Sequence, residues 1–233
     1  MLTADVMFVN GIAFLVTLSR GIRLYTTEHM PNRKKEQLAR SLRRITNLYA
    51  RGGFRVRTIM MDMEFEKVKE QEGIELVDVN TTAAREHVGK IERGIRYLKE
   101  RCRCSVSTFT MAGIIYLARP IVIRLVYNVT VLVNAVPDPL GVSERYSPRE
   151  IVTQRKFDFE RDCRVQFGAY VQASTDAIVT NGMKLRTHGC VALGTVGNWQ
   201  GSTKCFDLDT GTVVSRRIIG EAIPYRPGFC TCG

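Results

Sequence analysis

The chain has 233 residues with 34 Lys and Arg against 23 Asp and Glu, a formal charge of +11. With 45% hydrophobic and 24% charged residues it has the composition of a soluble globular protein, with enough material for one large or two small cored domains. The excess positive charge favours a polyanionic partner, nucleic acid above all, although acidic membrane surfaces attract such chains too.

Cysteine usage points away from zinc and from a disulfide framework. The seven cysteines are an odd number, and Cys102 with Cys104 and Cys230 with Cys232 lack the CxxC spacing of a zinc site. They read as reduced thiols of an intracellular protein, so the sequons at Asn80 and Asn128 carry no meaning. Asp5 and Asn10 interrupt the apolar start, which argues against a signal peptide. From Met111 to Val136 the chain is apolar, but Arg119, Pro120, Arg124, Asn128 and Asn134 make it a buried helix rather than a membrane anchor.

In chain order, Leu2 to Asn10 alternates as a strand, Asn10-Gly11 signals a hairpin, and Ile12 to Leu18 is its partner. Arg23 to Thr27 reads as a third strand. A helix opens at Pro31-Asn32, with Leu38, Leu42, Ile45 and Leu48 with Tyr49 on one face and Arg33, Lys34, Lys35, Arg40, Arg43 and Arg44 on the other; Gly52-Gly53 ends it. Strands follow at Val56 to Met61 and Ile74 to Val79, with a short helix at Glu64 to Glu70 between them. A basic helix then carries Val88, Ile91, Ile95 and Leu98 on its apolar stripe. Met111 to Asn134 reads as one long helix or a pair broken at Pro120, and Pro137-Asp-Pro139-Leu-Gly141 as a boundary. Beyond it, Ser147-Pro-Arg-Glu150 starts a short helix. Short β-like runs follow at Phe167 to Ala173, Cys190 to Leu193, Lys204 to Leu208 and Thr212 to Arg216. The expected organisation is α/β: a mixed sheet flanked by helices over residues 1–141, a linker helix and small β module over 142–220, and a disordered tail over 221–233.

In such a layout Asp5 on the first strand and Asp62 at the end of the fourth lie side by side, and Glu92 on the following helix reaches the same point. Three carboxylates are hard oxygen donors suited to Mg²⁺ or Mn²⁺, and two such ions support phosphoryl transfer. Glu64, Asp78 and Glu86 are rival carboxylates that composition does not exclude. Lys90, Arg93, Arg96 and Lys99 form either a phosphate-contacting row or a solvated helix face, and His87 either a nucleic-acid contact or a helix-start residue.

The order of Asp5, Phe14-Leu-Val-Thr-Leu-Ser-Arg20, Asp62-Met-Glu64-Phe65 and Arg85-Glu-His-Val-Gly-Lys-Ile-Glu92-Arg93 resembles the integrase core of copia-type retrotransposon polyproteins. Tyr127 to Pro137, Tyr146-Ser-Pro-Arg-Glu150, Phe167-Gly-Ala-Tyr170, Ala192-Leu-Gly194 and Phe206 to Arg216 resemble the family's later landmarks. The connection from Asp62 to Glu92 is shorter than in the family, and Met63 and Glu64 stand where it has a Gly-Gly pair. The resemblance implies a ribonuclease H-like fold and strand transfer during DNA integration, with Asp5, Asp62 and Glu92 holding two Mg²⁺ or Mn²⁺ ions. It implies DNA as partner, both element ends and target, together with a homo-oligomer and other parts of a polyprotein. A nuclear or particle-associated location follows from it. The alternatives are an inactive nucleic-acid-binding fragment and a ribonuclease H-like nuclease with another substrate.

Overall fold

The computed structural model describes residues 1–61, 78–80, 88–111, 116–175, 183 and 185–220. The expected Glu64 to Glu70 helix, most of the Ile74 to Val79 strand and the 221–233 tail lie outside them. The chain divides into two compact units, Met1–Thr110 with Val129–Phe157, and Met111–Asn128 with Asp158–Gly233. Among the described residues no helix is long and apolar enough to cross a membrane.

The first unit is built on a five-stranded sheet. β1 (Leu2–Val9) and β2 (Ile12–Ser19) form a hairpin whose register runs from Leu2↔Ser19 to Val9↔Ile12. The two-residue loop holds Asn10 at φ 47° and Gly11 at φ 74°, the left-handed pair that matches the twist of the flanking strands. β3 (Tyr25–Met30) pairs antiparallel with β2, while β4 (Thr58–Met60) and β5 (Asp78–Asn80) continue parallel on the other side of β1. The order β3-β2-β1-β4-β5, antiparallel in its first half and parallel in its second, is the expected mixed sheet. β3 starts two residues later than the sequence suggests, because Arg23 turns the chain in a left-handed conformation at φ 66°.

Each face of this sheet has its own cover. Leu2, Ala4 and Leu15 share one face, on which α1 (Lys35–Arg51) lays the buried Leu38, Leu42, Ile45 and Tyr49. The stripe recurs every three to four residues, so α1 is helical because only that period buries all four together. It ends where the N–H groups of Gly52 and Gly53 donate to Tyr49 and Ala50 carbonyls, both at 3.0 Å. Thr3, Asp5, Leu18 and Tyr25 fall on the opposite face by alternation and by the Thr3↔Leu18 and Leu18↔Tyr25 pairs. That face receives α2 (Val88–Met111) and the C-terminal end of α3 (Arg119–Val133). The apolar stretch expected as one helix, or as a pair broken at Pro120, is therefore corrected. α2 runs on to Met111, and Pro120 sits at the start of α3, where its missing N–H costs nothing.

Asn134, just past α3, closes the outer edge of the sheet. Its Oδ1 accepts the Tyr25 N–H at 2.9 Å and its Nδ2 donates to the Tyr25 carbonyl at 2.7 Å. β3 is the edge strand, so these two main-chain groups point away from β2 and would otherwise be buried unpaired. Nearby, the Thr27 and Thr130 hydroxyls share a hydrogen bond of 3.1 Å. The short helix α4 (Pro148–Thr153) completes the unit, with the Ser147 hydroxyl accepting the Glu150 N–H and proline at the first helical positions.

The second unit carries an antiparallel sheet of β6 (Tyr170–Ser174), β7 (Thr187–Thr195), β8 (Thr203–Asp207), β9 (Val213–Arg216) and β10 (Ile218–Gly220), in the order β10-β6-β7-β8-β9. The small β module is thus present, with β10 as a strand the sequence pattern did not reveal. Its core is Val171, Ala173, Cys190, Ala192 and Cys205. Burial pushes the thiols of Cys190 and Cys205 up to about 11 and about 12, so they pack as small apolar groups rather than as nucleophiles. Before the sheet lies α5 (Phe159–Asp162). Burial alone would raise the Asp162 carboxyl, but the Arg161 fork at 3.0 and 2.9 Å and the Thr195 hydroxyl at 3.2 Å hold it below the ordinary value.

Asn134→Ala removes both partners of Tyr25 and leaves two buried main-chain groups unpaired. At about 1–3 kcal/mol for each such group, the variant is expected to unfold at clearly lower denaturant than the parent with an unchanged slope, as followed by circular dichroism.

Candidate functional site

Asp5 sits in the middle of β1, the central strand of the sheet, paired with Val16 of β2. It is half-buried, and its Oδ1 accepts the N–H of Val6 at 2.6 Å, which fixes one carboxylate oxygen against the backbone. Because Asp5 shares a face with Thr3 and Tyr25, it lies on the side of the sheet that α2 covers. On the other side of β1 the parallel partner is β4, with Leu2↔Ile59 and Thr3↔Met60 in register. Asp62 follows Met60 by two residues and lies outside the described residues, as do Glu64, Glu86 and His87. Asp78 opens β5, its backbone paired with Thr58, one strand further from β1 than β4.

Helix α2 approaches the sheet closely at one point. Gly94 is buried, and a Cβ placed on it would lie 2.8 Å from Cε1 and 3.3 Å from the hydroxyl of Tyr25. Such distances leave no room for a side chain, so glycine sets how near α2 lies to the strand that carries Tyr25. Ile91, Ile95, Leu98 and Cys102 are buried along the same stripe. Burial raises the Cys102 thiol to about 11, and it too is a packing residue.

With that stripe facing inward, a rotation of about 100° per residue sorts the remaining side chains onto two flanks. Glu92, Arg96 and Lys99 share one flank; Glu92 and Arg96 are exposed and Lys99 is half-buried. Lys90, Arg93, Tyr97 and Arg101 share the other, where they line a groove of about 1050 Å³. Arg93 bends back on the helix, its Nε donating to the Gly89 carbonyl at 2.9 Å, and the Arg101 guanidinium lies 5.0 Å from the centre of the Tyr97 ring. The four basic residues read from the sequence as one row therefore divide in two pairs, Arg96 and Lys99 beside Glu92, Lys90 and Arg93 away from it. The sequence reading missed Tyr97 and Arg101, although their spacing from Lys90 and Arg93 is helical. It also missed Arg20 and Arg23, which reach the groove from the β2–β3 connection and have no local signal.

Carboxylate oxygens are the donors that Mg²⁺ and Mn²⁺ accept, and both Asp5 and Glu92 supply them; in chemical type the pair fits those ions. Among the described residues, of which Asp62 is not one, no three His, Cys, Asp or Glu side chains stand close enough to hold a metal.

No family model and no curated protein matches this chain. Among solved structures, the catalytic core domain of BIV integrase is similar over 66% of this chain and 93% of that one, with 16% identity and a TM-score of 0.46.

The close approach at Gly94 yields a prediction. In an open helix Gly→Ala is favourable by about 1 kcal/mol, but here overpacking against Tyr25 costs about 1–3 kcal/mol. Gly94→Ala is expected to lower the thermal midpoint, and its effect combined with Tyr25→Leu to be smaller than the sum of the two alone.

Proposed function

We propose that this chain is a polynucleotidyl transferase of the retroelement integrase class. It would join a DNA 3′-hydroxyl to a target phosphodiester, with Asp5, Asp62 and Glu92 as its acidic site. The observation that carries this reading is the position of Asp5. It lies on the central strand, on the face covered by the helix that bears Glu92, next to a parallel strand whose register ends at Thr3↔Met60. Asp62 follows Met60 by two residues and lies outside the described residues, so its part in the site is proposed from the ordered sequence motifs. The ordered motifs that resemble copia-type integrase cores support the same assignment.

In the reaction the 3′ oxygen forms a new bond to phosphorus as the bond to the target's own 3′ oxygen breaks, and the proton lost by the attacking hydroxyl is balanced by one that the leaving oxygen takes up from solvent. The three carboxylates would hold Mg²⁺ or Mn²⁺, which supplies activation of the attacking oxygen and stabilisation of the leaving one. The protein's own contribution is placement. Arg96 and Lys99 share the Glu92 flank of α2, so phosphates drawn to these cations run past the carboxylate. His87 would add a phosphate partner where the helix begins. Element ends and target DNA are the partners of this reading, and assembly into a homo-oligomer would bring two such sites to one target.

With Mg²⁺ or Mn²⁺ and a branched DNA that mimics the insertion product, the purified chain is expected to join or cleave strands. Asp62→Asn and Glu92→Gln are each expected to lower that rate by about a thousandfold while leaving DNA binding nearly intact. Replacing Arg96 and Lys99 by alanine is expected to make the slope of log affinity against log salt shallower, by about 0.9 for each phosphate no longer neutralised. Activity that survives Asp62→Asn rejects the triad, and a wild type that binds without ever cutting points to a binding protein instead.

A further inference from the structure

The groove on the far flank of α2 is not used by the proposed reaction. Its base is the sheet at Thr3, Leu18 and Tyr25, and its second wall is the end of α3 with the turn that follows. Two features define what fits there. The first is charge: among the described residues Arg20, Arg23, Lys90, Arg93 and Arg101 line it against a single carboxylate, Asp138. That carboxylate is already engaged, its Oδ2 accepting from the Arg23 Nε at 3.3 Å and its Oδ1 from the Leu140 N–H at 2.8 Å. Four cations remain with no other described carboxylate lining the groove to face them, so an anionic occupant would complement them.

The second feature is the apolar wall. Leu132, Val133, Val136 and Leu140 line one side, and Val136 and Leu140 are 54% and 78% exposed. These aliphatic side chains gain by being covered, at roughly 25 cal/mol per Å², but they offer no ring on which a nucleobase stacks. Tyr97, the exposed aromatic among the described residues at the rim, already has a guanidinium over its ring. A nucleic-acid strand would use the cations and leave the wall wet, whereas an acidic peptide with an apolar residue uses both. A second copy of this chain would bring mostly cations to a groove already lined with them, so the self-assembly proposed above would use other surfaces.

We propose that this groove docks an acidic peptide segment of a partner protein. An aliphatic or aromatic side chain would seat against Val136 and Leu140, with Asp or Glu side chains paired to Arg20, Arg93 and Arg101. The docking stands apart from strand transfer, because the groove faces away from Glu92 and needs no metal.

The probe is a labelled synthetic peptide of about twelve residues, with Leu and Phe at its centre and Asp and Glu on both sides. It is titrated by fluorescence anisotropy into the whole chain without divalent metal. Arg20→Glu with Arg101→Glu is expected to weaken binding by about tenfold or more, and so is replacing the peptide's Asp and Glu by Asn and Gln. Leu140→Asp, at an exposed position, is expected to weaken it without shifting the thermal midpoint. The proposal is overturned if the peptide binds the double-charge variant as tightly as the parent. It is equally overturned if a DNA oligonucleotide displaces the peptide and loses as much affinity in that variant, which would make nucleic acid the occupant. Loss of strand joining in a chain that still takes the peptide would reject the transferase reading alone.

Discussion

The packing of Gly94 on the ring of Tyr25 is the constraint on which the arrangement of the first unit depends. Helix α2 presents charged side chains on both flanks, and its height and rotation over the sheet decide where each flank points. A side chain at position 94 would push the helix away from Tyr25, and both flanks would move with it. Tyr25 is itself held, its main chain clasped by Asn134 and its ring buried, so the sheet edge does not yield. Glycine inside a helix is normally a weakness; here it fixes a distance.

From that fixed position follows a division of labour in charge. The same helix presents Glu92 with Arg96 and Lys99 on one side, and Lys90, Arg93 and Arg101 on the other. A carboxylate beside two cations suits a site where phosphates must approach an acidic centre. A row of cations beside an aliphatic wall suits an acidic partner with an apolar anchor. In the proposed reading one helix would serve two kinds of anion, and Ile91, Ile95 and Leu98 keep the two flanks apart by anchoring the stripe between them.

Much of this was legible in the sequence where the signal is local. Asn10-Gly11 specifies its hairpin because only residues tolerant of left-handed angles fit a two-residue loop there. The stripe of Leu38, Leu42, Ile45 and Tyr49 specifies α1, and Asp5 falls on a strand because the residues around it alternate. Non-local features were not legible. The apolar run after Met111 satisfies one helix or two, and Pro120 is as compatible with a helix start as with a break. β3 is displaced because a non-glycine residue, Arg23, takes a left-handed conformation that its side chain does not announce. The groove draws Arg20 and Arg23 from one connection and Arg93 and Arg101 from a helix distant in sequence. No spacing rule joins them. The placement of the acidic residues is similarly non-local: Asp5 lies on a strand face covered by the helix that bears Glu92, and Asp62 lies outside the described residues.

The claim that these carboxylates act as one site is tested most directly by Mn²⁺ binding, read from the paramagnetic signal of the free ion. Affinity is measured for the parent, Asp5→Asn, Glu92→Gln and the chain with both changes. If the two residues share the ion, each single change weakens binding by about tenfold or more, and the double change adds little to the worse single one. Independent, fully additive effects, or Mn²⁺ affinity untouched by either change, would contradict a shared site.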